Sequence, residues 1–155
     1  MKFRIVAVGK IKESYFKEAI AEYAKRISRF ASLEIVEVDE CTFCGTPNPS
    51  EIAKIVATEG QSLLQKAEGF VIALDIVGRE IDSVGLFETL EKVAQTHSVV
   101  TFLIGGSYGL SPEVKQKTTR ISLGKITLPH QLCRVVLCEQ IYRACTIKHN
   151  VPYHK

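Results

Sequence analysis

Pro152-Tyr153-His154-Lys155 sets a phenol, an imidazole and an ammonium directly behind a rigid proline, a concentration of donors suited to holding a base and a phosphate. A second group lies just upstream. Glu139 and Arg143 stand four residues apart in Leu132–Ile147, a stretch that is otherwise roughly two-thirds apolar and reads as a helix. At that spacing they can simply be a helix-stabilising ion pair. On a mostly buried helix a charge also needs a partner or a purpose, so a site role stands beside the structural one. A third candidate is Gly105-Gly106-Ser107-Tyr108-Gly109, which follows the apolar run Val99–Ile104 and precedes a helix start at Ser111-Pro112-Glu113. Open α/β sheets place ligands at such strand ends, and glycine lets a bound molecule approach the backbone. The spacing differs from the Gly-x-Gly-x-x-Gly of dinucleotide folds, and taken alone the segment reads equally as a tight turn.

The five cysteines carry less chemistry. An odd number in a chain without a secretory signal indicates reduced thiols. Cys41-Thr42-Phe43-Cys44 lacks the second pair that a structural zinc needs, and a proline-rich loop follows it rather than the helix of a redox motif. No metal is expected.

These groups need a scaffold. The chain has 155 residues, 46% hydrophobic and 24% charged, the size and balance of one domain with a sizeable core. Its longest apolar run, Phe70–Leu74, is far shorter than the roughly 20 residues of a membrane helix. With no signal-like N-terminus, a cytoplasmic location follows as the expectation. The formal charge of +3 hides a split. Residues 1–100 carry 12 Lys+Arg against 15 Asp+Glu, and residues 101–155 carry 8 against 2. The last third is a basic module that also holds His130, His149 and His154, suited to an anion such as RNA or a nucleotide.

Short β-rich runs alternate with helical stretches, which predicts an α/β fold with a mostly parallel sheet flanked by helices. Strands are expected at Phe3–Val8, Leu33–Val38, Phe70–Leu74, Val99–Ile104 and Ile121–Leu123. Helices are expected from a Ser14 cap to about Arg29, from Ser50 to about Lys66, from a Ser83 cap to about Gln95, and over Leu132–Ile147. Residues 41–49 form a loop. The apolar last helix predicts a second covering surface, supplied by knot-like threading or by another copy of the chain.

Leu103-Ile104-Gly105-Gly106, Thr127-Leu128-Pro129-His130-Gln131-Leu132, Arg134-Val135, Glu139-Gln140-Ile141-Tyr142-Arg143-Ala144 and Pro152-Tyr153-His154-Lys155, in this order, closely resemble the bacterial ribosomal RNA large subunit methyltransferase H family. Val6-Ala7-Val8-Gly9-Lys10, Leu74-Asp75-x-x-Gly78 and the length extend the likeness over the whole chain, residues 1–155, as a single domain. The resemblance implies the SPOUT class with a C-terminal trefoil knot. It implies a homodimer that transfers methyl from S-adenosylmethionine to N3 of a pseudouridine in 23S rRNA, within the ribosome. Position by position, it implies donor contacts at Leu74, Gly106 and the loop Gly124, Lys125, Ile126, Thr127, Leu128 and Pro129. The chain departs from the family at Gly124, where serine is usual, so contacts there are expected from the backbone.

N3 of a uracil-type base must lose its proton before or during attack, so the site needs a general base or a positive charge that stabilises the anion. Arg143, Tyr153, His154 and Lys155 are the candidates, with the tail of one subunit completing the site of the other. His130 is a second candidate base, or a capping imidazole. Two other classes stay open on the residues: a Rossmann-type nucleotide-dependent enzyme, from the βαβ pattern, and a non-catalytic RNA-binding module, from the basic last third.

Overall fold

Apolar residues that alternate along short strands and recur every three or four residues in the intervening helices build a layered α/β fold. The computed structural model describes residues 1–155. Its elements are β1 (Lys2–Val8), α1 (Ser14–Ile27), β2 (Ser32–Val38), α2 (Pro49–Lys66), β3 (Phe70–Glu80), α3 (Ser83–Ala94), β4 (Val99–Ile104), α4 (Pro112–Lys117), β5 (Thr119–Ser122) and α5 (His130–Lys148). The strands form one sheet in the order β2-β1-β4-β3-β5, every neighbouring pair parallel. No helix is long and apolar enough to cross a membrane.

The period of two along the strands feeds two cores. Phe3, Ile5 and Ala7 of β1 and Val100, Phe102 and Ile104 of β4 pack with Ile20, Leu86, Leu90 and Leu137 under α1, α3 and α5. Val6, Val8 and Leu103 face the opposite way, onto Leu63 of α2 and Val114 of α4. Strands buried on both faces must be apolar throughout. The polar exception in β4, Thr101, is buried, and its hydroxyl donates to the Glu68 carbonyl at 2.6 Å.

Several local expectations shift. Ser14 is already helical and Glu13 takes the cap position without a side-chain bond. Asn48, not Ser50, starts α2: its side chain accepts from Glu51 N–H while Glu51 reciprocates, a capping box with Pro49 as the first helical residue. Asp82 caps α3, which frees Ser83 Oγ to donate to Gln140 Oε1 of α5 at 2.7 Å. Strand β3 does not end at Asp75. It bulges, with Leu74 and Arg79 both paired to Ile121 of β5, and resumes to Glu80. A bulge breaks the alternation that marks a strand, so the apolar pattern stops where the strand does not.

Helix α5 lies between α1 and α3 and buries Arg134, Leu137, Cys138, Ile141, Ala144, Cys145 and Thr146. Much of its apolar character is thus met within one copy. Arg134 is fully buried: its Nη2 donates to the Val8 and Gly9 carbonyls at 2.6 and 2.8 Å, and its Nη1 donates to Glu37 Oε1 at 3.1 Å. This guanidinium fastens the start of α5 to the end of β1.

Candidate active site

The bulge of β3 and the carboxyl ends of β4 and β5 open onto a cleft of about 600 Å³, within the range of small-molecule sites. Its walls are Leu74, Asp75 and Ile76 of the β3 bulge, residues 104–110 after β4, and residues 121–124 and 126–129 after β5, with His130 and Cys133 of α5 closing one side. Leu74, Gly106, Gly124, Ile126, Thr127, Leu128, Pro129 and His130 therefore meet at one place. Lys125 is exposed and does not line the cleft.

Each wall has a physical reason. At the bulge, the Asp75 side chain is only 7% exposed and lies 3.3 Å from Arg120 and 3.7 Å from Lys115, so the one carboxylate in the wall is matched by two cations. At the turn, Gly109 N–H donates to the Gly106 carbonyl at 3.0 Å. A Cβ on Gly106 would stand 2.9 Å from Glu59 Oε2 and 3.0 Å from Val8 Cγ1, too close for any side chain. Glu59 of α2 is buried beneath this turn and cannot easily withdraw, because its Oε1 accepts the Cys41 N–H at 3.0 Å. Its other oxygen has no partner, and burial pushes its carboxyl above the ordinary range. In the third wall, Gly124 has φ +126°, a backbone conformation side chains resist, which accounts for glycine at this position. Ser122 Oγ donates to the Gly124 carbonyl at 2.7 Å and accepts the Gly124 N–H at 3.2 Å, so one hydroxyl holds the loop.

A second cluster occupies the other end of α5. Glu139 accepts from Arg143 Nε at 3.0 Å, from Arg143 Nη2, and from Tyr153 Oη at 3.0 Å. The Arg143 guanidinium stacks 4.7 Å over the Tyr153 ring, and its Nη1 lies 3.3 Å from His154 Nδ1. Arginine only donates, so this contact requires a lone pair on Nδ1 and leaves the proton of a neutral imidazole on Nε2. Burial, then the hydrogen bonds with Glu139 and Tyr23, push the Tyr153 phenol up to about 12. Tyr153 therefore stays protonated at neutral pH and anchors the tail. Lys155 is exposed at the end of the chain.

Thirteen residues of helix, about 20 Å, separate His130 from Arg143. One copy of the chain thus carries the cleft and the tail cluster at opposite ends of α5. The sequence did not disclose Glu59, Glu40 or Asp75 as members of the site. Glu40 accepts from Ser107 Oγ at 3.2 Å and ties the loop after β2 to the glycine turn, a contact across 67 positions that no local pattern signals.

The three thiols of α5 are packing groups: burial pushes Cys133 and Cys145 up to about 11 and Cys138 to about 12. Cys133, in the cleft wall, is accordingly a neutral thiol rather than a nucleophilic thiolate.

A family model described as a predicted SPOUT methyltransferase matches residues 1–154. The "Ribosomal RNA large subunit methyltransferase H" of Limosilactobacillus fermentum is 48% identical over 159 aligned positions, covering 100% of both chains. The protein of the same name from Lactiplantibacillus plantarum is also 48% identical, with 100% of both chains covered. Among solved structures, a probable methylase family protein from Haemophilus influenzae Rd KW20 aligns with a TM-score of 0.53 at 13% identity, over 99% of this chain and 70% of that one, a likeness of fold.

Proposed function

Because the chain belongs to the SPOUT methyltransferase family, at the level of the ribosomal RNA large subunit methyltransferase H proteins, we propose that it methylates N3 of a pseudouridine in 23S rRNA. We assign S-adenosylmethionine as the donor and the assembled ribosome as substrate, in the cytoplasm. The observation that carries this is the convergence of Leu74, Gly106 and the Gly124–Pro129 loop on one cleft, at the β3 bulge and the ends of the parallel β4 and β5. We assign the chain's C-terminal half the trefoil knot of its class, and two copies as the working unit.

The cleft fits the donor. Its glycine turn and its proline- and glycine-bearing loop offer backbone carbonyls and amides to an adenosine, and its apolar side chains offer cover for the ring. S-adenosylmethionine, when bound, supplies an electrophilic methyl group for in-line displacement. Around it the chain does three things. The Gly106 turn and Ser122-braced loop fix the pose. The protonated Cys133 withholds a competing nucleophile. The apolar Ile76, Val77 and Ile126, 50%, 70% and 82% exposed, edge this region and suit coverage by a second copy.

Arg143 and His154 then serve the base rather than the donor. A tail reaching the partner's cleft brings a guanidinium and an imidazole Nε2–H to the uracil-type ring, where they stabilise the N3 anion as its proton leaves. His154 acts as a donor while Arg143 holds Nδ1, and Tyr153 positions both. His130 stands at the cleft, where its imidazole nitrogen takes the N3 proton and leaves the ring nitrogen's electron pair free to attack the methyl carbon.

Calorimetry separates the three classes raised by the residues. The protein should bind S-adenosylhomocysteine and ignore NAD. Binding of NAD alone would return it to the Rossmann-type enzymes, and ribosome binding with affinity for neither ligand would make it a non-catalytic RNA-binding module.

A further inference from the structure

A second concavity, of about 300 Å³, lies between the last turns of α1 and the outer face of α5, lined by Glu22, Lys25, Arg26, Arg29 and Tyr142. Three cations there face one carboxylate. Arg26 is committed: its Nε bonds Glu22 at 2.7 Å and its guanidinium stands 5.8 Å from the ring centres of both Tyr23 and Tyr142. Lys25 and Arg29 have no ion-pair partner, so the pocket holds two uncommitted cations beside an aromatic wall. Basic residues in a last helical turn complement the helix dipole. That does not account for Arg29, which lies beyond the C-cap Ser28 in the turn after α1 and adds a second unpaired cation to the same concavity. An anion seated in the concavity would meet both.

The pocket is continuous with the tail cluster. Tyr142 packs against Tyr153 with ring centres 4.8 Å apart, and Arg143 lies over the other side of that assembly. Lys25, Arg29, Arg26, Tyr142, Arg143 and His154 thus form one basic strip with aromatic rings set into it, the pattern that tracks a nucleic-acid backbone.

We propose that the Lys25/Arg29 pocket is a binding site for RNA phosphates flanking the target nucleotide, built into the same subunit that contributes the tail. It rests on the rRNA methylation reading. A backbone held here would deliver the target base along the strip to Arg143 and His154, and onward to the partner's cleft. The first 100 residues, acidic as a whole, would contribute to substrate affinity through one helix end.

The test compares Lys25→Ser/Arg29→Gln with a charge-matched control, Lys54→Ser/Lys92→Ser, at exposed lysines away from the strip. Methyl transfer to ribosomes is followed across a salt series, with S-adenosylhomocysteine affinity in parallel. The pocket variant should raise KM for ribosomes about tenfold, with kcat and S-adenosylhomocysteine affinity unchanged, and flatten the slope of log KM against log salt by about two. The control should do neither. An unchanged KM, or an equal change in the control, would overturn the site. Wild-type protein that transfers no methyl group to RNA would overturn the underlying reading, and this proposal with it.

Discussion

Arg143→Ala should lower single-turnover methyl transfer by about 100- to 1,000-fold, the usual consequence of removing a donor that stabilises a developing anion, while S-adenosylhomocysteine affinity stays at the wild-type level. The division follows from the separation along α5: the cleft at its start is formed without Arg143. The fold should survive, since Glu139 keeps its bonds from Tyr153 Oη at 3.0 Å and Gln140 Nε2 at 2.7 Å, and a partly exposed ion pair contributes little to stability. Equal loss of transfer and donor affinity would place Arg143 in the donor site instead.

The second large effect belongs to Gly106→Val. The added side chain has no space, because Glu59 and Val8 already lie within 3.0 Å of where its first carbon would be. Glu59 is pinned by the Cys41 amide, so the turn itself must move. A displacement of about 1 Å at a binding turn costs on the order of 100-fold, and here it should appear as lost S-adenosylhomocysteine affinity in a protein that still melts cooperatively. Wild-type affinity in this variant would remove the Gly105-Gly106 turn from the donor site.

Mixing the two inactive variants extends both results. If each site joins the cleft of one subunit to the tail of the other, a mixed dimer has one doubly damaged site and one intact site. Random re-association of equal amounts should restore about one quarter of wild-type activity. Sites contained within single subunits would restore none.

Much of this was readable from residue order. Val99–Ile104 and the Ser111 cap followed from local patterning alone, because a strand buried on both faces and a Ser-Pro helix start leave unambiguous marks. The convergence of Leu74, Gly106, Gly124 and residues 126–129 came from the resemblance, which also included the outward-facing Lys125, and the parallel order β4-β3-β5 explains why distant segments meet. What local pattern could not carry was set by contacts between distant positions. The second half of β3 pairs across a bulge, Ser83 bonds α5 instead of capping α3, and Glu59 reaches beneath a turn 47 positions away. The apolar α5 illustrates the same point: its composition called for cover on both sides, and the groove between α1 and α3 supplies much of it. The two ends of α5 carry separate clusters, visible only once the helix is known to run unbroken from His130 to Lys148.

The most direct test supplies labelled S-adenosylmethionine to ribosomes that lack this modification, then digests the RNA and locates the label. The account predicts close to one methyl group per 23S rRNA, on N3 of a pseudouridine. Label on a ribose, on a base carbon or on another RNA, or no label at all, would contradict it.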